Sequence, residues 1–202
     1  ALTKYNFNSF DVTTAASTGL GFNASANGFS TISSTSMVLI KTLTASSSST
    51  LSFVHGSSDV VLDSTYPVYL FKFINIHPAS DNSTFEVGFR DGSTDYDATK
   101  TTTFFWAYHD EADSETSLGY LASRDLAQGT GFTDLSGSVG NGSDESCSGE
   151  LTLFNPSSTT FVKHFISRTH CYRSSVNYNY DWYIGGYGNT TSAIDAIQFK
   201  MA

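Results

Sequence analysis

Positive charge is what this 202-residue sequence lacks most. Its 10 Lys and Arg stand against 19 Asp and Glu, giving a formal net charge of −9 and a sequence pI of about 4.7. The few cations are scattered, whereas a nucleic-acid backbone or an anionic membrane surface is held by clustered ones. Direct nucleic-acid binding and attachment to anionic membranes are therefore not expected. Long apolar runs are also missing. No stretch approaches the roughly 18 residues a spanning helix needs, so no membrane insertion is expected. The opening ALTKYNFNSF has neither the basic nor the apolar region of a secretory leader, and reads as a mature terminus or a cytosolic start that has lost its Met.

Helix-surface residues are scarce too. Charged residues make up only 14% of the chain, while Ser and Thr together exceed a quarter of it. Phe counts 16, Tyr 11 and Gly 16, against only 3 Pro. That balance suits strands with hydroxyl-bearing outer faces and Phe, Tyr, Val and Ile inside. The length suits one domain with a core that needs no staples. Residues 1–36 read as an extended N-terminal arm, with one short strand around Lys4–Phe10, and residues 37–202 as a single β-sandwich domain.

Along that domain, SMVLIKTLT (36–44) and TLSFVHG (50–56) read as strands around a Ser-rich turn. YPVYLFKFINIH (66–77) is apolar on both faces, which predicts a central strand or one at a subunit contact. TFEVGFRDG alternates cleanly, and TTTFFWAYH and AIDAIQFKM add further strands. The acidic, Gly- and Ser-rich stretch from Asp110 to Ser148 reads mostly as loop, with one helical turn near Leu118–Leu126. In LTLFNPSSTTFVKHFISR (151–168), NPSS reads as the turn of a hairpin. Short strands separated by such turns predict an all-β antiparallel sandwich, a jelly roll first. An immunoglobulin-type sandwich ranks second, because no Trp lies between Cys147 and Cys171. If the NPSS turn is tight, Cys147 faces Ser167–Arg168. Its α-carbon then lies about 10 Å from that of Cys171, beyond the roughly 7 Å reach of a disulfide.

Chemistry-bearing groups are weighed against plainer roles. His164, His170 and Arg168 share strand parity and line one face, but no nucleophile elbow accompanies them. Asp110, Glu111, Asp113 and Glu115 crowd one loop; acids on such a loop are more often solvated than paired for glycoside hydrolysis. Asp91, Asp95 and Asp97 offer oxygen ligands for a structural Ca²⁺ without the EF-hand spacing. Asn23, Asn82, Asn141 and Asn189 match the glycosylation acceptor pattern, which a Ser/Thr-rich chain produces by chance. No catalytic residue and no cofactor are assigned. In SVNYNYDWYIGGYG, Tyr178, Tyr180 and Trp182 fall on one side of a strand. They read first as core, then as a protein interface, then as a glycan contact.

YLFKFINIHPAS (69–80), GELTLFNPSSTTFVKHFISR (149–168) and GYGNTTSAIDAIQFKM (186–201) resemble, in order, segments of small virion structural proteins of marine and freshwater tailed bacteriophages. The resemblance covers most of the chain from about Leu51 onward and fades in the N-terminal arm and between Asp110 and Ser148. It implies a non-enzymatic capsid decoration, appendage or tail-fibre-like module, with the head role favoured. It also implies synthesis in the host bacterial cytoplasm and residence on the virion surface. The implied partners are the major capsid protein or tail components, in a homotrimer or higher homo-oligomer. In such proteins the last motif continues into one more short strand, whereas this sequence stops at Met201–Ala202. The alternatives are a carbohydrate-binding adhesin module recognising a host-surface glycan and, more distantly, a polysaccharide hydrolase using Glu111 and Asp113.

Overall fold

The computed structural model describes residues 18–22, 29–33, 37–173 and 177–202. The chain divides into two compact units, Ala1–Thr42 and Leu43–Ala202. In the first, β1 (Thr18–Phe22) and β2 (Phe29–Ser33) pair antiparallel as a hairpin. The strand expected around Lys4–Phe10 lies outside the described residues.

The second unit is all β, with two antiparallel sheets packed face to face. Its strands are β3 (Thr50–Val54), β4 (Val68–Ile76), β5 (Phe85–Arg90), β6 (Lys100–Asp110), β7 (Thr116–Tyr120) and β8 (Thr133–Asp134). The remainder are β9 (Cys147–Phe154), β10 (Lys163–Arg173), β11 (Tyr178–Gly188) and β12 (Ala196–Met201). One sheet runs β4-β9-β10-β11-β6-β7 and the other β3-β12-β5-β8. The two-residue period decides which side chains meet between them. Phe73 of β4 meets Phe85 of β5 at 4.9 Å and Phe199 of β12 at 5.0 Å, while Phe89 meets Phe165 at 5.1 Å. These edge-on pairs let two layers of large rings interdigitate.

Several expectations need correction. No strand forms over the described part of SMVLIKTLT: residues 37–45 are irregular, and among the described residues no ladder reaches them. An apolar run without a neighbour to take its backbone hydrogen bonds does not become a strand. β4 is an edge strand, not a central one. Its inner residues Tyr69 and Phe73 are buried, while Val68 and Ile74 stay exposed on the other side. It breaks register between Phe73 and Ile76, where Asn75 takes a positive φ of 52°. The stretch from Asp110 to Ser148, read mostly as loop, carries β7 and β8 as well as the helical turn read near Leu118–Leu126, a 3-10 turn at Ala122–Arg124.

The β9–β10 connection is longer than a tight turn. Ser158 N–H donates to Asn155 O at 3.1 Å, and β10 starts only at Lys163. The register therefore sets Cys147 directly opposite Cys171, with Ser167 opposite Leu151. The expected offset of the two cysteines does not occur, yet both remain free thiols, fully buried. Burial pushes Cys147 up to about 12 and Cys171 up to about 11. Neither is a ready nucleophile at neutral pH.

Two buried lysines straddle Gly188: Lys100 on β6 and Lys163 on β10 stand opposite it from either side. Lys100 donates to Ala98 O at 2.7 Å; Lys163 donates to Phe161 O at 2.8 Å and Thr190 O at 3.1 Å. Carbonyls stabilise the ammonium without neutralising it. Burial pushes Lys100 down to about 8, against smaller upward pulls from Asp97 and Asp91. The unfolded chain, titrating near 10.4, then binds more protons than the folded one across this window. Stability contributed here is therefore least below about pH 8 and rises as pH climbs towards the unfolded value. Denaturant titrations at stepped pH are expected to show wild type gaining about 3 kcal/mol relative to Lys100→Met between pH 7 and about pH 10.5. Parallel curves for the two proteins would place that ammonium in water.

Candidate functional site

The outer face of the six-stranded sheet gathers the most chemistry. Along β10, burial alternates strictly. Lys163, Phe165, Ser167, Thr169 and Cys171 point inward, while His164, Ile166, Arg168 and His170 point out. The ladders then align one outward residue from each strand. Lys72, Glu150, Arg168, Tyr183, Phe105 and Tyr120 stand opposite one another across β4, β9, β10, β11, β6 and β7. At strand spacing this row is about 24 Å long.

Three steps of the row are direct side-chain contacts. Lys72 Nζ reaches Glu150 Oε2 at 2.6 Å. The Arg168 guanidinium lies 5.1 Å from the Tyr183 ring centre, and Tyr183 stacks on Phe105 at 4.9 Å with the rings 3° from parallel. β11 lies between β10 and β6, so Arg168 and Phe105 occupy opposite faces of the Tyr183 ring. A second line of groups locks the first. Arg168 donates to Asp181 from Nε at 3.0 Å and from Nη2 at 2.5 Å, and Tyr183 Oη donates to the same carboxylate at 2.8 Å. His170 pairs with Asn179 beside them. Fork-shaped pairing and stacking hold these side chains in one arrangement before any partner arrives.

At the charged end the face dips into a shallow depression of about 470 Å³. Lys72, Glu150, Arg168, His170 and Asp181 line it, with Ser148 and Gly149 as its floor. Gly149 is there by necessity: a Cβ would sit 2.3 Å from the Arg168 carbonyl oxygen and 2.7 Å from the Thr169 α-carbon. At the other end, Phe105, Leu118 and Tyr120 expose apolar surface; Ile166 does so one outward row away on β10, and Val68 two rows away on β4.

The residues singled out from sequence lie elsewhere. Tyr180 and Trp182 are core residues on the inner face, stacked on each other at 4.8 Å, and Trp182 Nε1 donates to Cys171 Sγ at 3.1 Å. Tyr178 is half-buried beside Tyr108, its hydroxyl donating to Glu115. As a contact surface the three are thus mostly turned inward. His164, Arg168 and His170 do share one outward face, as parity predicts. The crowded acids are dispersed in role. Asp110 is buried and accepts from Ser114 and Glu115, which hold its carboxyl below the ordinary range, while Asp113 faces His109. Glu111 is exposed, so no cleft brings it and Asp113 together as an acid pair. Ser93 ties the Asp91–Asp97 loop through Asp95 O and Asp97 Oδ1. Among the described residues no three His, Cys, Asp or Glu side chains converge to hold a metal ion, the Asp91–Asp97 loop included.

The sequence reading missed Tyr183, Phe105, Asp181, Glu150 and Lys72 as a group. Asp181 and Tyr183 carry the opposite parity to Tyr180 and Trp182, which is a usable signal. Their alignment with Phe105 and Glu150 depends on register between distant strands, which no local pattern encodes.

Burial raises the Asp181 carboxyl, but hydrogen bonds from Arg168 and Tyr183 outweigh it and leave the pKa below the ordinary aspartate value. A depressed carboxylate stabilises the fold above about pH 4 and loses that contribution as pH falls through its folded value. Asp181→Asn is expected to cost about 1–3 kcal/mol at neutral pH. It is also expected to shrink, though not abolish, the loss of stability below about pH 4, because Asp110 shares the same sign. Urea melts of both proteins at neutral and acidic pH measure this; identical acid limbs would remove Asp181 from the network.

In comparisons with models of known families, with curated proteins and with solved structures, the chain finds no match in any of the three.

Proposed function

We propose that this chain is a non-enzymatic virion structural protein of a tailed bacteriophage. In this reading it is an exposed β-sandwich on the capsid or tail, with a head decoration or appendage favoured over a tail fibre. The observation that carries the binding role is the row from Lys72 to Tyr120, pre-ordered and exposed on the six-stranded sheet. Tyr and Arg held rigid beside apolar neighbours are the usual anchors of protein interfaces, because little side-chain entropy is lost when a partner docks. The virion setting rests on the three ordered segments that resemble such proteins. The jelly-roll expectation belongs with this reading: the chain alternates between the two sheets at β3–β4, β4–β5, β5–β6, β7–β8, β8–β9 and β11–β12, as that fold requires. The partners are other virion proteins, the major capsid protein or tail components.

Mass spectrometry of purified particles is expected to find this chain at a fixed copy number, and its absence from intact particles would end the virion reading. In particles carrying Tyr183→Ala, incorporation is expected to fall at least about tenfold if one anchor contributes roughly 1.4 kcal/mol or more.

One observation favours a second reading, a carbohydrate-binding adhesin. The depression lined by Lys72, Glu150, Arg168, His170 and Asp181 presents fixed charged donors and acceptors of the kind that bind sugar hydroxyls. Glycan arrays probed with wild type and Arg168→Ala separate the two. Binding lost in the variant supports the adhesin, and no binding by either protein leaves the depression to protein partners.

A further inference from the structure

Among the described residues, the six-stranded sheet ends at β7 without a neighbour. Two hydrogen bonds show how that strand is oriented. Leu121 N–H donates to Phe104 O at 2.9 Å and Asp110 N–H to Glu115 O at 3.0 Å, in the register that sets Phe105 opposite Tyr120 and Ala107 opposite Leu118. Bonded and non-bonded pairs alternate along an antiparallel ladder. Ser117 and Gly119 therefore direct their backbone groups at β6. Thr116, Leu118 and Tyr120 direct their N–H and C=O groups away from it, and among the described residues none of these groups has a partner.

Such an edge is normally guarded by a charge, a proline or a bulge. Thr116–Tyr120 reads TSLGY and contains no charge or proline, and it pairs with β6 in unbroken register. Leu118 and Tyr120 are 73% and 59% exposed, beside a 40% exposed Phe105. An open backbone edge and an apolar margin thus coincide on one strand.

We propose that β7 is a homodimer edge. The same strand of a second copy pairs with it antiparallel, with Leu118 on the two-fold axis, joining the two large sheets into one. A second copy supplies the complement on both counts, open backbone groups against open backbone groups and exposed Leu118 and Tyr120 against an equally apolar margin. The outward-facing residues are centred on Leu118, so antiparallel self-pairing matches Leu118 with Leu118 and Thr116 with Tyr120 in both directions. About six new backbone hydrogen bonds result, two from each bonded pair. The two leucines meet at the axis, and each Tyr120 and Phe105 extends the apolar strip on the same face.

Charge points the same way. The acidic turn from Asp110 to Glu115 leads into the strand. Antiparallel pairing keeps the two acidic turns at opposite ends of the seam, whereas parallel pairing would set them together in a chain of net charge −9. A two-fold contact builds dimers or even-numbered assemblies, which departs from a homotrimer but is compatible with the higher homo-oligomer that the resemblance implies. This inference is independent of the virion reading.

Sedimentation velocity of the full chain, from low to high micromolar concentration, tests it. Wild type is expected to sediment as a dimer, and Leu118→Pro as a monomer with an unchanged circular-dichroism spectrum. Proline is tolerated there because the lost N–H faces outward and not β6. Leu118→Lys keeps the main chain intact and is expected to lose the dimer as well, which covers the case where the proline variant fails to fold. Under mild oxidation Leu118→Cys is expected to cross-link to a covalent dimer, while Thr116→Cys, opposite Tyr120, is not. A wild type that stays monomeric, a folded Leu118→Lys that still dimerises, or equal cross-linking at both positions would each overturn the proposal.

Discussion

Everything outside the core depends on the phenylalanines that lock one sheet to the other. Phe199 lies within 6.3 Å of four other rings, Phe53, Phe71, Phe73 and Phe85, drawn from both layers. Because these rings must point inward, every second residue of their strands must point out. Register is thus not free to slip: a shift by one would bring Arg168 and His170 into the oily layer and put Phe165 in water. The outward row from Lys72 to Tyr120 is the reverse side of that hydrophobic constraint. Its alignment follows from packing it never touches.

The same constraint explains the odd residues inside. Lys100 and Lys163 fall on inward positions at the end of their strands, where Gly188 leaves side-chain space between them. Each bends its ammonium to nearby backbone carbonyls, Lys100 to Ala98 O and Lys163 to Phe161 O and Thr190 O. These carbonyls hold the cations in a region that disfavours charge. The pleat, not a need for charge, sets their position. Asp110 is a similar case, its carboxylate used up in closing the β6–β7 turn.

What the sequence revealed and what it hid follow this division. Strands with a clean two-residue period, such as TFEVGFR and VKHFISRTHCY, were legible because burial on one face alone produces that pattern. SMVLIKTLT was misread because an apolar run reports only that a strand is affordable, while forming one requires a neighbour, and neighbours are non-local. β7 was hidden for the converse reason: TSLGY has weak local character and is a strand because β6 offers it a ladder. The cysteine geometry failed through loop length alone, since a few added residues after NPSS moved Cys147 opposite Cys171. Within the site, parity placed His164, Arg168 and His170 on one face. The stack of Tyr183 on Phe105 needed the register between β6 and β11, more than 70 residues apart.

The stack also bears on what the face can hold. A sugar ring binds an aromatic through the ring's open face. Tyr183 has none free, with Arg168 on one side and Phe105 on the other, so it offers a partner only its edge and its hydroxyl, and that hydroxyl is already held by Asp181. A ring clamped in this way is poor at gripping a pyranose but good at meeting a complementary protein surface, where a fixed edge and its apolar surround suffice. The unclaimed donors and acceptors lie at the other end of the row, around Lys72 and Glu150. Any small polar ligand would bind there, while the aromatic end, running out through Tyr120 to the open edge of β7, suits protein contact.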